Sequence, residues 1–153
     1  MGIKPKFTKA EIRSTFVQRR DRIEQAILAT LMYLGEMCVN HARSVNTYQD
    51  QTGNLRNSIG YIIVKNGRTI ASSFVKSVTG TVESDEDGVK IGRGLARELA
   101  KQHNTGYALI VVAGMNYAAA VESKGFDVLS SAEHLAEKEF PRMIRDLKLQ
   151  IAA

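Results

Sequence analysis

Two β-prone runs joined by Asn66-Gly67 constrain the fold of this chain more than any other feature. The stretch YIIVKNGRTIASSF places β-branched and aromatic residues on both sides of that dipeptide. Asn-Gly suits a two-residue type I′ turn, because both central residues of that turn have positive φ. The sequence therefore predicts an antiparallel β-hairpin. The pairs expected across it are Lys65 with Arg68, Ile63 with Ile70, Tyr61 with Ser72 and Ile59 with Phe74.

The strands of this predicted sheet carry apolar residues on both faces. In the hairpin, Ile62 and Val64 face the side opposite to Tyr61. The run YALIVVAG at 107–114 is apolar at nearly every position, which is typical of a strand covered on both faces. We therefore expect more apolar surface than one subunit can bury, with neighbouring copies or other proteins covering the rest.

A long amphipathic helix is predicted near the N-terminus. Thr8 followed by Glu11 is a capping-box pattern for a helix start. Apolar residues then recur, mostly three or four positions apart, as far as Val45. The basic run RRDR at 19–22 interrupts this stripe, which indicates that the first turns extend beyond the main body.

A second long helix is predicted to begin at Ser130, with Glu133 completing its cap, and to end near residue 151. Pro141 lies inside this helix. A kink or a break is expected near Phe140, because proline cannot donate the helical hydrogen bond.

Glycines mark the remaining segments. Gly53 lies in the polar stretch 46–54 and is expected to have a positive φ. Residues 76–92 are rich in glycine and acidic residues, which predicts an extended, mobile excursion that could reach a neighbouring subunit. Gly92-Arg93-Gly94 is expected to open a short helix before the strand at 107–114.

The length of 153 residues fits one ordinary domain, and an apolar fraction of 44% is a globular value. We expect a single domain over 1–153 of the α+β class: a small antiparallel sheet with a β-hairpin, flanked by a long N-terminal helix and a C-terminal helix. Residues 1–7 are expected to form a disordered arm. The single cysteine, Cys38, suits a reducing compartment, and no apolar run is long enough to span a membrane.

Charge and motifs narrow the functional classes. The three histidines lie on separate predicted helical segments, and no nucleophile, metal or nucleotide motif is present, so we expect no catalytic, metal or cofactor site. The net charge of +5 is concentrated in residues 1–24, which hold seven Lys/Arg against three acidic residues. This basic region leaves non-specific nucleic-acid binding open as the alternative function. An unrecognised hydrolase is the third alternative.

Two short motifs, placed in the order of these elements, carry a resemblance to a known family. One is Thr-Gly-x-Leu-Arg-x-Ser between the first helix and the sheet, and the other is Tyr-Ala-x-x-Val-Glu before the last helix. Their positions in this chain are Thr52, Gly53, Leu55, Arg56 and Ser58, then Tyr117, Ala118, Val121 and Glu122. Over most of residues 20–150, the chain resembles the head–tail joining or tail-completion proteins of tailed bacteriophages, sometimes grouped with minor tail proteins.

This resemblance implies a structural function without a chemical step. It implies a cyclic homo-oligomer, formed on assembly, that joins or completes the tail at the head–tail interface. Its expected partners are portal-side connector and tail-tube proteins, and its expected location is the host cytoplasm during assembly and then the virion. Head-to-tail contacts between identical subunits can close into such a ring.

The motif residues and the hairpin tip are expected to serve structure or subunit contacts. Thr52 and Gly53 would set the angle at which the chain enters the sheet, and Leu55 would pack inward. We hypothesise an ion pair between Arg56 and Glu122, within or between subunits. The full set of expected structural or interface residues is Thr52, Gly53, Leu55, Arg56, Lys65, Arg68, Tyr117, Val121 and Glu122.

Overall fold

The structure, a computed structural model, describes Gly2, Lys4 and residues 6–153. The helices in that part of the chain are α1 (Lys9–Ser44), α2 (Asn54–Asn57), α3 (Gly88–Ala100), α4 (Ala118–Ser123) and α5 (Ser130–Ala152). The strands there are β1 (Ile59–Lys65), β2 (Arg68–Ser73) and β3 (Tyr107–Ala113). The predicted α+β class is confirmed, with a long N-terminal helix, a small antiparallel sheet and a C-terminal helix. The predicted disordered arm at 1–7 includes positions 1, 3 and 5, which lie outside the described residues.

The predicted hairpin turn is confirmed. Asn66 and Gly67 have φ values of 49° and 78°, as a type I′ turn requires, and Lys65 lies opposite Arg68. Strand β1 also pairs with β3, so the described strands form one antiparallel sheet in the order β2-β1-β3.

The strand pairs predicted beyond the turn are wrong. The register shifts between Ile63 and Val64, because β2 contains one extra residue, Ile70, at a β-bulge. The pairs observed beyond the bulge are Ile63 with Ala71, Ile62 with Ser72 and Tyr61 with Ser73. Since β2 is an edge strand, an extra residue there leaves the second ladder of β1 intact.

Strand β1 is the centre of the fold and is covered on both faces. One core cluster packs Ile59, Tyr61 and Ile63 against α1. The other packs Ile62 and Val64 against α3. The expectation that other subunits must cover the second face is therefore wrong for β1, because α3 of the same chain supplies that cover.

Helix α3 begins earlier than the sequence predicts. The Asp87 carboxylate accepts a hydrogen bond from the backbone N–H of Lys90 at 3.2 Å, which caps the helix. Residues 88–92 therefore belong to α3 instead of an extended excursion. The preceding segment lies against its own chain, since the backbone N–H groups of Thr81 and Val82 donate to the carbonyl of Gln51.

Helix α5 continues through Pro141 without a break, unlike the predicted interruption. It runs antiparallel to α1. At its start, the Ser131 hydroxyl lies 3.0 Å from the His41 ring, and near its end Ile151 lines a surface hollow together with Ile23. Packing along α1 supports the helix on both sides of the proline. Among the described residues, no helix is both long enough and apolar enough to cross a bilayer.

The first turns of α1 are exposed to solvent. Their later part lines a hollow with the end of α5, through Thr15, Gln18, Arg19 and Arg22. Every residue from 9 to 22 is exposed, whereas the first buried residue of this helix is Leu31. The predicted capping box is confirmed, because Thr8 and Glu11 bond reciprocally through their side chains and backbone N–H groups. We call residues 9–22 the helical arm.

Candidate functional site

The two sequence motifs meet in the folded chain. Tyr117 of the second motif lies close to Thr52 of the first. The guanidinium of Arg56 lies 4.9 Å from the centre of the Tyr48 ring. Burial raises the pKa of both tyrosines, and Asp50 adds to that increase. We call Tyr48, Asp50, Thr52, Arg56 and Tyr117 the motif cluster.

The first motif forms a tightly bonded junction between α1 and the sheet. Gly53 has a φ of 75°, and Leu55 is buried in the core, so both predictions for these residues are confirmed. The hydroxyl of Ser58 is completely buried and accepts hydrogen bonds from the N–H groups of Gly114 at 3.0 Å and Met115 at 3.3 Å. This one side chain ties the start of β1 to the end of β3.

Sequence reasoning did not predict the long-range contacts that two asparagines of this junction make. The Asn57 side chain accepts from the N–H groups of Ser77 and Val78 at 2.9 and 3.0 Å, and donates to the Val78 carbonyl at 2.8 Å. Asn54 donates to the hydroxyl of Ser84 at 3.0 Å. Their only sequence signal is two asparagines within a short segment that enters a buried strand. Together they hold the chain that leads into α3.

Arg56 and Glu122 do not pair within the chain. Among the described residues no ion pair joins them. The Arg56 guanidinium donates instead to the carbonyl of Val45 at 2.9 Å and to the side chain of Asn46 at 3.2 Å. The intrachain form of the hypothesis is wrong, because Arg56 is engaged by the end of α1.

Glu122 caps the N-terminus of α5. Its Oε1 accepts hydrogen bonds from the N–H groups of Leu129 at 2.8 Å and Ser130 at 2.9 Å, and from the Ser130 hydroxyl at 2.9 Å. The predicted cap by Ser130 and Glu133 is therefore wrong, since Ser130 lies inside the first turn. Burial alone would raise the pKa of Glu122, but these hydrogen bonds outweigh it and hold that pKa below its ordinary value.

Glu122→Gln is expected to destabilise the fold by about 1 kcal/mol at neutral pH, because it removes a charged cap from a helix N-terminus. The folded-state pKa of Glu122 is lowered, so its contribution is complete above the ordinary value of 4.5. That contribution is lost as the pH falls through the folded-state pKa. Urea unfolding of both proteins from neutral to acid pH should show the two stability curves converging below about 4.5.

Glu98→Gln is the matched control for this prediction. Glu98 lies on α3 and forms only an exposed ion pair with Lys101, at 2.8 Å. Such pairs contribute roughly 0.3–0.5 kcal/mol. Stability curves of wild type and Glu122→Gln that stay parallel at acid pH would contradict the capping role.

The predicted positive hairpin tip is only partly present. The Lys65 ammonium lies 2.7 Å from the Glu24 carboxylate of α1 and 5.4 Å from the centre of the Tyr107 ring. The hydrogen bond to Glu24 raises the pKa of Lys65. Arg68 is exposed. Lys65 therefore fastens the sheet to α1, and Arg68 alone extends to solvent as expected.

The second motif divides between the core and the surface. Val121 packs half-buried against the first core cluster, whereas Tyr117 is exposed over about a third of its surface, at 37%. Among the described residues, no group of three or more His, Cys, Asp and Glu side chains is arranged to hold a metal ion. Asp50, Thr52 and Arg56 of the motif cluster hydrogen-bond to backbone groups and so fix chain segments. Tyr117 adds an aromatic side chain to the surface.

An apolar groove lies elsewhere on the domain, between α1, β3 and α5. It has a volume of about 570 Å³ and shares no lining residue with the motif cluster. Comparisons of the chain with models of known protein families, with curated proteins and with solved structures gave no match.

Proposed function

We propose that this protein is a structural subunit of a tailed-phage or prophage virion. It joins or completes the tail at the head–tail interface as a member of an oligomeric ring, and it carries out no chemical step. It acts through surface complementarity to its own copies, to portal-side connector proteins and to tail-tube proteins. It assembles in the host cytoplasm and is then retained in the virion.

The helical arm is the observation that carries this proposal. Its residues are all exposed, and Phe16 keeps 70% of its surface accessible. An isolated helical segment this short is marginally stable in water, so its apolar side chains favour a protein surface that covers them. The order of the two sequence motifs around the sheet adds support, through their resemblance to tail-completion proteins.

The test is disruption of the gene in the phage or prophage that encodes it, with particles examined by electron microscopy and mass spectrometry. We expect separate filled heads and tails, and rescue by the wild-type protein supplied in trans. The protein itself should be present in rescued particles in several copies. Normal infectious particles that lack the protein would contradict the proposal.

Non-specific nucleic-acid binding remains the alternative function, and the exposed basic residues of the helical arm favour it. If it is correct, Arg19→Ala/Arg20→Ala weakens binding to DNA of any sequence. Binding by wild type should also fall steeply as salt is raised, because each phosphate contact releases counterions. The absence of salt-dependent binding in a fluorescence-anisotropy titration would exclude this alternative.

A further inference from the structure

The apolar groove lies at an open edge of the sheet. Among the described strands β3 pairs with β1 alone, so β3 is an edge strand, and alternate residues of one of its faces line the groove. Open strand edges beside apolar surface are sites where other chains bind. The apolar residues that line the groove include Leu31 and Leu34 of α1, Leu109 and Val111 of β3, and Ala136 and Phe140 of α5.

The charge at this groove is negative. Glu133 and Glu137 are the charged residues among its described lining, and both are exposed. The neighbouring cation Arg142 lies 3.7 Å from Glu139, and the His134 ring lies 3.4 Å from Glu137 in an exposed contact. An apolar segment that carries positive charge therefore suits this groove.

The helical arm has that chemistry. At 3.6 residues per turn, Ile12 and Phe16 lie on one face, and Arg19 and Arg20 follow one turn later on the same side. Arg20 pairs with Asp21 at 3.0 Å, an exposed contact that docking would replace with a contact to the groove. Ile12 is 47% and Phe16 70% exposed, so the apolar stripe of α1 continues beyond the sheet that covers its later turns.

A chain cannot place its own arm in its own groove. Leu31 lines the groove and lies fifteen positions after Phe16 in the same continuous helix. At a rise of 1.5 Å per residue, the helix holds the two about 22 Å apart. An arm that enters this groove must therefore belong to another copy. The two surfaces are different, so this contact is heterologous and can repeat from copy to copy.

We propose that the helical arm of one copy docks into the apolar groove of the next, with Ile12 and Phe16 against the groove wall and Arg19 and Arg20 beside Glu133 and Glu137. This inference rests on the proposed ring function and gives it a specific subunit contact. The occupant is a second copy of this chain, selected by matching apolar surface and opposite charge.

The test uses one full-length variant defective in the arm and one defective in the groove. Phe16→Asp removes the apolar anchor, and Glu133→Lys/Glu137→Lys reverses the charge of the groove. All three positions are exposed, so circular dichroism should show unchanged folding. Light scattering across a concentration series should give masses above one chain for wild type and a single-chain mass for each variant.

Mixing the two variants distinguishes this specific contact from non-specific association. The Phe16→Asp chain keeps a working groove, and the Glu133→Lys/Glu137→Lys chain keeps a working arm. The mixture should therefore form a one-to-one complex that grows no further. Phe126→Asp is the matched control, because Phe126 is also exposed but lies outside both surfaces. That variant should associate like wild type.

A second pair of substitutions checks the charge match. Arg19→Glu/Arg20→Glu alone should abolish association, and its combination with Glu133→Lys/Glu137→Lys in one chain should restore it. Wild type that stays a single chain at every concentration overturns the inference, as does a mixture that fails to form the complex. If the variants fail to show the predicted association but still restore infectious particles to the disrupted phage, the arm contact is wrong and the ring function stands. If the arm docks as predicted but the protein is not needed for particles, the ring function is wrong and the arm contact stands.

Discussion

Gly92→Ala is expected to destabilise the protein by about 3 kcal/mol, because it overpacks a close contact between α3 and the residue that precedes β1. Gly92 is buried in α3, where a β-carbon would overlap the carbonyl oxygen of Ser58. Gly114 approaches Gly92 from the end of β3, so neither backbone can move aside easily. The added methyl group would force α3 away from β1 and open the second core cluster.

Gly94→Ala is the matched control in the same helix. A β-carbon at Gly94 meets no atom within 4 Å, and the residue is exposed. This substitution should stabilise α3 by roughly 0.5–1 kcal/mol through reduced backbone entropy in the unfolded chain. Urea unfolding followed by circular dichroism measures both effects. Equal stability of the two variants would show that α3 is not packed closely at Gly92.

Asn57→Ala is expected to lower the free energy of unfolding by about 3 kcal/mol. The side chain is 3% exposed, and its loss leaves the N–H groups of Ser77 and Val78 without their partner. Ser77 is exposed and Val78 half-buried, so water replaces part of what is lost. Each of the three hydrogen bonds that Asn57 makes to them contributes roughly 0.5–1.5 kcal/mol. Hydrogen exchange should also become faster at these two amides.

Asn40→Ala provides the comparison for this loss. Asn40 lies on α1 and is exposed, so alanine there should leave stability unchanged or slightly increased. If Asn57→Ala unfolds at the same urea concentration as Asn40→Ala, the junction does not depend on this side chain. Unchanged exchange at Ser77 and Val78 would contradict the bonding pattern directly.

The sequence predicted correctly those features that depend on residues close together in the chain. The Asn66-Gly67 turn and the capping box at Thr8 and Glu11 depend on residues within a few positions of one another. Both are confirmed. The bulge at Ile70 was not predicted, because nothing in the hairpin alone favours an extra residue on one strand. Its position depends on how β2 twists at the edge of a sheet whose other strand is distant in sequence.

The errors at the candidate site have a common physical origin. The partners of Glu122 and Asn57 are backbone N–H groups, and every residue type except proline carries one. Opposite charges such as those of Arg56 and Glu122 suggest an ion pair in a sequence. Nothing in the sequence indicates that a carboxylate accepts from backbone N–H groups at a helix start seven residues further along the chain. The cover of β1 by α3 was missed for a related reason. Small residues, Gly92 and Ala96 among them, let α3 approach the sheet closely. The modest hydrophobicity of this helix did not indicate that contact.

Helix α1 runs without interruption from the exposed helical arm into the hydrophobic core. Its 36 residues extend about 54 Å, and the last turns are clamped when Arg43 donates to the carbonyls of Ile59 and Val75. The Lys65–Glu24 ion pair holds the same helix to the sheet two residues after the helical arm. The direction of the exposed tip is therefore set by contacts along the body of α1. Because the helix is rigid, an assembly that binds the tip depends on residues of the domain that it does not touch.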